Sequence, residues 1–450
     1  MTRTAFAILL ALGAVSSRAT CAPPSDLDNI SIVSCGASPQ SADNKAAIDG
    51  ALAAAASFGT GIYIPNGVFL TSGKHILPAK VGVFGQGTLK LISGSDPIID
   101  TANAGNTIHG PTFDLTSCPV SCTAVQIDGG SSHTVIEGIT SLHGRIIANV
   151  KNSGKAPTQL AITKNVLTGV RIGGTSGGAI EINSGTTHFS VIGNQVLPPA
   201  DAPLTIGAAS DGAGIAVATG SSYGEISGND TEWNGGNGIY LLNAEYVSVI
   251  GNQCSNNGQS GIDVGSHLIP KSTRLSLTAN NCSHNRYDGI DVNESAGLNA
   301  IYTAIQGNTL DSNGSPTTGG TGIYLQSVSQ VTISSNTILD NGTAGIWLNS
   351  SQSIAVTGNT ISNSSKNGEK ACGVTLKTYS CPGILIYASS HNTFSGNLAD
   401  NTEATPTQSY GILEADDKSD YNAYSGNSSR NNINGGLGIS GRHDTQSGNL

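Results

Sequence analysis

Charge is what this 450-residue chain has least of. Asp, Glu, Lys and Arg together make up 11% of it, and the formal net charge is −10. A nucleic-acid partner needs basic patches, so this balance excludes that class. Long hydrophobic runs are missing too. The apolar run Ala5–Val15 is too short to cross a bilayer, and no later segment approaches that length. Helical spacing is almost absent beyond residue 60. The 59 glycines are spread over turns, in neither a collagen nor a linker pattern. No Cys/His spacing suggests zinc. The loop Gly173–Gly178 has no Lys and no following helix, which excludes a phosphate cradle.

What is present begins with a stretch that reads as a secretory signal: Arg3, the apolar run, then Ser17-Arg18-Ala19 as the expected cleavage site. It places the mature chain in an oxidising compartment, where its eight cysteines can pair. Cys118/Cys122 and Cys372/Cys381 are close enough in sequence to bridge loops, and Cys21/Cys35 can tie down the start. Cys254 and Cys282 fall at equivalent places in successive repeats, either as a disulfide or as two buried thiols.

The repeat itself is a small-residue tag, apolar-x-Gly-Asn or a near variant. Its Asn positions are 165, 194, 229, 252, 280, 308, 336, 359, 397 and 427, with gaps of 23 to 38 residues. Periods of this size belong to arrays whose units bury their apolar faces against one another. The residue three before each Asn is always apolar, as in Val249, Leu277 and Ile305. Asn tolerates left-handed backbone and bonds locally, so each is expected at a corner between two short strands. A second tag, Gly-Ile, precedes most corners, as in Gly238-Ile239, Gly261-Ile262, Gly289-Ile290 and Gly345-Ile346. Two residues after each Ile comes another apolar residue, except at the last copy, where Glu414 stands. Period-two alternation means strand, with the Ile column inward and the residue between facing out.

These repeats predict an all-β chain, a right-handed parallel β-helix of about ten coils. A short helix from about Asp43 to Ser57, with Asp43 as N-cap, should cover the first coil. The expected division is a signal peptide at 1–19, a cap and first strands at 20–80, the β-helix at 81–430 and a tail at 431–450.

Ser34-Cys-Gly-Ala37, the Ala-rich helix, Gly61-Ile-Tyr-Ile-Pro65-Asn-Gly67 and Val83-Phe-Gly-Gln-Gly87 together resemble the N-terminal signature of the pectate-lyase-like β-helix proteins. That superfamily includes pectate lyases, polygalacturonases, mannuronan C5-epimerases and phage tailspikes. The resemblance covers nearly all of the mature chain. It implies the fold, and a polysaccharide as partner, but not one reaction. It also implies an active groove across the outer face of the Gly-Ile strands.

On that face the outward residues, coil by coil, are Glu181, Ala216, Tyr240, Asp263, Asp291, Tyr324, Trp347 and Leu385. The next outward column includes Asn293, Gln326 and Asn349. Asp263 and Asp291 lie 28 residues apart at the same place in two copies of Gly-Ile-Asp-Val, so they should stack roughly 4.8 Å apart. Just ahead of Asp291 the chain gathers His284, Arg286, Tyr287 and Asp288. The candidate catalytic residues are Asp263, Asp291, Tyr287, Arg286 and His284. Those expected to hold sugar are Tyr240, Tyr324, Trp347, Asn293, Glu294 and Gln326, since aromatic faces cover sugar rings while amides and carboxylates bind hydroxyls.

Three functions fit this pattern. The first is elimination or C5-epimerisation on a uronate polymer, which needs a base, a proton donor and positive charge or a cation at the carboxylate. No cofactor is required outright, and calcium is the candidate hard cation for the two Asp. The stretch Tyr287-Asp-Gly-Ile-Asp291-Val-Asn293-Glu294 is similar to the Tyr-Gly-Phe-Asp-Pro-His-Glu motif of mannuronan C5-epimerases, with Asp288 added and Asn293 in place of His. The second is glycoside hydrolysis by the Asp263/Asp291 pair, although the polygalacturonase signatures are absent. The third is a non-catalytic carbohydrate-binding or adhesive solenoid.

Overall fold

The computed structural model describes residues 21, 29–94, 97–120, 122–149, 154–173, 177–183, 185–218, 220–266, 272–294, 299–367, 372 and 381–450. The expected signal segment lies outside them, as does most of the loop after each of the Asp263 and Asp291 strands.

The strands stack into parallel sheets of 16 and 14 strands, with two shorter sheets of seven and four completing the turn. Most coils visit a corner sheet, then a short third sheet, then the sheet of Gly-Ile strands, here called the groove sheet; between the two short sheets the third side is held by single bridges at Gln253 and Asn281. Sixteen strands make the stack longer than the ten-rung series of Asn corners. The earliest coils turn at Gly85, Gly110 and Gly138 without an Asn of the series, which hides them from the repeat. Strands run from Ile30–Ser31 to Thr445–Ser447, past both limits expected for the solenoid.

The inward columns form one continuous core, in which Ile239, Ile262, Ile290, Ile323, Ile346, Ile384 and Ile412 are all fully buried. Beside it runs a ladder of buried Asn side chains. Asn280 Nδ2 donates to the carbonyl of Val249 (3.0 Å) and to Asn308 Oδ1 (3.0 Å), while Asn280 Oδ1 accepts from Asn252 N (3.0 Å) and Nδ2 (2.9 Å). The same linkage continues from Asn165 through Asn427 to Asn449. The left-handed residue at each corner is the one before the Asn, such as Gly251 (φ 63°) or Ala279 (φ 56°), and not the Asn itself. Turning that residue outward aims the following amide inward.

Helix α1 (Lys45–Phe58) covers the first coil with Ile48, Ala51, Leu52 and Ala55 buried beneath it. Its N-cap position is Asn44 rather than Asp43. Asp43 sits one residue earlier, where its Oδ1 accepts from the backbone N–H of Lys45 (2.9 Å) and of Ser72 (3.0 Å). Disulfides join Cys21–Cys35, Cys118–Cys122 and Cys372–Cys381, and Cys254 and Cys282 are buried free thiols. Glu414, the polar exception in the inward pattern, is 4% exposed and fully engaged. It accepts from the Tyr424 hydroxyl (2.5 Å), Asn422 Nδ2 (2.8 Å) and the backbone N–H groups of Ser440 (2.9 Å) and Gly441 (2.8 Å), fastening the final coil. Among the described residues, no helix is long and apolar enough to cross a membrane.

Candidate active site

The site is built on six successive groove-sheet strands: β1 (Ile239–Leu242), β2 (Ile262–Ser266), β3 (Ile290–Glu294), β4 (Ile323–Gln326), β5 (Ile346–Asn349) and β6 (Ile384–Tyr387). Each is entered through a glycine because the turn presses on the next coil. A Cβ at Gly261 would lie 2.5 Å from the Cys282 Cβ and 2.7 Å from the Gly289 carbonyl. That close approach fixes the register, in which Tyr240 pairs with Asp263, Asp263 with Asp291, Asp291 with Tyr324, and Tyr324 with Trp347. Strand alternation turns all five outward, since Ile262, Val264, Ile290 and Val292 point into the core.

Asp263 and Asp291 thus face one pocket of about 200 Å³, lined also by Asn237, Gln259, Ser260, Tyr287 and Asp288. Asn237 Nδ2 donates to Asp263 Oδ2 (2.9 Å), and the Thr321 backbone N–H donates to Asp288 Oδ1 (2.6 Å). Asp291 Oδ1 is buried and has no hydrogen-bond partner in the protein. Three carboxyls in so small a space cannot all ionise cheaply. Burial pushes Asp263 up to about 7, against the pull of the Asn237 hydrogen bond and with a further push from Asp288. Burial likewise raises Asp288 to about 6, tempered by its Thr321 hydrogen bonds. Asp291 is also raised well above the usual carboxylate range, by burial and then by the charges of Asp263 and Asp288. Near neutral pH the cluster therefore holds shared protons, and the values belong to the group rather than to single residues.

The flanking phenols stay protonated. Burial and Asp263 push Tyr240 up to about 12, and burial raises Tyr324. The Tyr324 hydroxyl donates to Gln326 Oε1 (2.7 Å) and accepts from Asn349 Nδ2 (2.9 Å), and its ring meets Trp347 edge-on at 5.3 Å. Asn293 lies in register between Gly265 and Gln326 in the second outward column. The side chain of Glu294 falls outside the described residues.

Tyr287 reaches the pocket rim and is 41% exposed. His284 and Arg286, expected beside it, do not line the pocket. Asn285 between them is buried in a second Asn ladder, accepting from Asn257 Nδ2 (3.1 Å) and donating to Asn313 (3.0 Å). With Asn285 turned inward, its two neighbours lie exposed on the outer rim, His284 in left-handed backbone (φ 57°). Four lining residues escaped the sequence reading as members of the site: Asn237, Gln259, Ser260 and Asp288. Asn237, Ser260 and Asp288 immediately precede the Gly of a Gly-Ile tag, and following that position coil by coil (Asn237, Ser260, Asp288, Thr321) would have found them.

Comparison with solved structures finds the same fold in several proteins. The A-module of the Azotobacter vinelandii mannuronan C-5 epimerase AlgE6 is 16% identical, with a TM-score of 0.55 over 93% of this chain and 98% of that one. Tailspike protein 3 of bacteriophage CBA120 is 12% identical, with a TM-score of 0.57 over 91% of this chain and 59% of its own. PfbA, a surface adhesin of Streptococcus pneumoniae, is 14% identical, with a TM-score of 0.54 over 88% and 92% respectively. No curated protein sequence matches the chain significantly. A family model for the right-handed β-helix region matches residues 302–449. A second model, described as periplasmic copper-binding protein (NosD), matches residues 104–371, more than half of the sequence, and the chain belongs to that family.

Proposed function

We propose that this protein is an extracytoplasmic polysaccharide-active enzyme that moves protons through the Asp263–Asp288–Asp291 cluster, in elimination or C5-epimerisation of a uronate-containing glycan. The observation that carries this reading is the register pairing of Asp263 with Asp291 inside a pocket shared with Asp288 and Tyr287. Removing a proton from a sugar carbon calls for a base of more than ordinary carboxylate strength, and raised carboxyls supply one near neutral pH. A neighbouring carboxyl that keeps its proton can hydrogen-bond the uronate group and spread the charge that develops there. Carboxyls rise from the pocket floor while the Tyr287 phenol stands at its rim. Protons can therefore be handled from two directions, as inversion at C5 requires.

Hydrolysis is the second reading, and a specific observation favours it. Among the described residues lining the pocket there is no Lys or Arg, which suits an uncharged glycan. A carboxyl pair that splits into one acid and one carboxylate is also what glycosidic cleavage uses.

Copper, named in the family description, does not fit the residues present. Copper sites favour imidazole, thiolate and thioether donors. Among the described residues, no group of three or more His, Cys, Asp or Glu is placed to hold a metal ion, and the Asp263–Asp288–Asp291 cluster offers carboxyls alone. Cys254 and Cys282 are sealed in the core, and the sequence has one methionine, Met1. No step is assigned to copper.

Incubation with a panel of alginate, pectate, xylan and neutral β-glucans separates these readings. Ultraviolet absorbance from unsaturated ends marks a lyase, and deuterium uptake at C5 without cleavage marks an epimerase. New reducing ends without either mark a hydrolase. Binding with no chemical change on any of them would overturn the enzymatic reading in favour of an adhesive solenoid.

A further inference from the structure

The column of outward residues that forms the pocket floor does not run open along the whole solenoid. Beyond Trp347 the next two outward residues are Leu385 and Leu413, in register with it and with each other. Alternation makes them outward, because Ile384, Ile386 and Ile412 on either side point into the core. Yet Leu385 is 0% exposed and Leu413 only 9%. They form a second apolar cluster outside the solenoid with Ala344 and the Cys372–Cys381 disulfide, against which Trp347 and Tyr410 pack. Apolar residues on an outer face carry no benefit unless something covers them, and here the disulfide does. On the other side of the pocket no second apolar cluster stands over the column among the described residues. Ala216, the outward residue before Tyr240, is 2% exposed, and the position before it holds Glu181 in an ion pair with Arg145 (3.2 Å).

Five outward positions lie between Ala216 and that wall: Tyr240, Asp263, Asp291, Tyr324 and Trp347. Four coil steps of roughly 4.8 Å give a floor about 19 Å long. A polymer passing through a cleft needs both ends clear. This floor ends at an apolar wall that begins three coils beyond Asp291.

We infer that the cleft is closed at its Trp347 end and takes the terminus of a glycan chain, so that the enzyme acts from chain ends rather than within the polymer. The wall formed by Leu385, Leu413 and the Cys372–Cys381 bridge is then the specificity-determining element. This rests on the polysaccharide-active reading above and adds the mode of action to it. The 200 Å³ pocket at the carboxyls is on the scale of a single sugar ring, which matches a terminal residue. Because the wall lies outside the main core, opening it should leave the coils intact.

The test follows product size and viscosity with time, on whichever polymer of the panel is altered. Release of mono- and disaccharides from the outset, with viscosity falling slowly relative to new ends, is the expected result. If the reaction is epimerisation, the converted sugars should be confined to chain termini. In Leu385→Ala and in the paired Cys372→Ser/Cys381→Ser variant, products should lengthen and viscosity should fall sooner per bond broken. Early long fragments, or conversion throughout the chain interior, from the wild-type enzyme would overturn the closed cleft while leaving the enzymatic reading standing. Absence of chemical change on every polymer would overturn both. Should the disulfide variant fail to fold, the wild-type product profile still decides.

Discussion

Replacing Asp263 with Asn separates the chemistry of the pocket from its burden on the fold. The group ionises near 3.8 when unperturbed, but burial and Asp288 hold it at about 7 in the folded chain. The stability it contributes is therefore fully present below pH 3.8 and lost as pH rises through about 7. A shift of roughly three units corresponds to an upper limit on the order of 4 kcal/mol. Protons shared with Asp288 and Asp291 reduce that, leaving about 1–3 kcal/mol for one site. Asn keeps the shape, cannot ionise, and still offers an Oδ1 to the Asn237 amide. The variant should match the wild type at pH 4 and exceed it by about 1–3 kcal/mol at pH 8. Unfolding entropy of about 2.1 cal/mol/K per residue gives about 0.9 kcal/mol/K for a chain of this length, so the gain is about 1–3 °C in Tm. Calorimetry at both pH values reads it directly, and activity of the same protein should fall by orders of magnitude. Equal stabilisation at pH 4 and pH 8, or a loss at pH 8, would refute the claim that the folded protein holds this carboxyl protonated. Undiminished activity would remove Asp263 from the chemistry.

Asp291→Asn should likewise abolish most activity while leaving Tm at pH 8 equal or higher, because it removes a charge crowded by two others. Trp347→Ala should weaken binding of the true polymer by about 1–3 kcal/mol if a sugar ring stacks there, by analogy with aromatic stacking on bases, and calorimetric titration measures it. Asn280→Ala strands partners on two neighbouring coils, Asn252 and Asn308, and should cost on the order of 3 kcal/mol, read as a lower denaturation midpoint. Burial and the adjacent Glu414 raise Asp444 to about 6, so its contribution to holding the final coil is present below 3.8 and lost as pH rises through about 6. Hydrogen exchange over residues 435–447 should quicken across that range beyond the intrinsic rate, and Asp444→Asn should flatten the change.

Much of the fold was legible because its rules are local and repeat in identity. The Asn corners, the Gly-Ile tags and the short-range cysteine pairs each announce a geometry that needs no distant partner. Register then followed by counting, which is why Asp263 and Asp291 were correctly placed side by side. Counting failed where direction depends on a single backbone angle. His284 and Arg286 sit close to Asp291 in sequence, but the inward turn of Asn285 sends both to the outer rim. Asp288 was visible in the sequence as an extra carboxylate, yet its role depends on a turn position that the strand pattern does not track. Leu385 reads as an exposed residue of the groove. Only the Cys372–Cys381 bridge folded over it shows that it belongs to a wall.

The Asn ladder has a consequence for how such a chain can change. Each rung offers its neighbour the same amide geometry, whether the stretch of chain between rungs is 23 residues, as from Asn229 to Asn252, or 38, as from Asn359 to Asn397. The vertical fit of the stack is thus indifferent to what is inserted between rungs, and lengthening a surface loop costs little closure entropy. Walls, lids and binding loops can be gained or discarded on one side of the solenoid without renegotiating the pairing on the others. Relatives of this chain should differ first in those insertions.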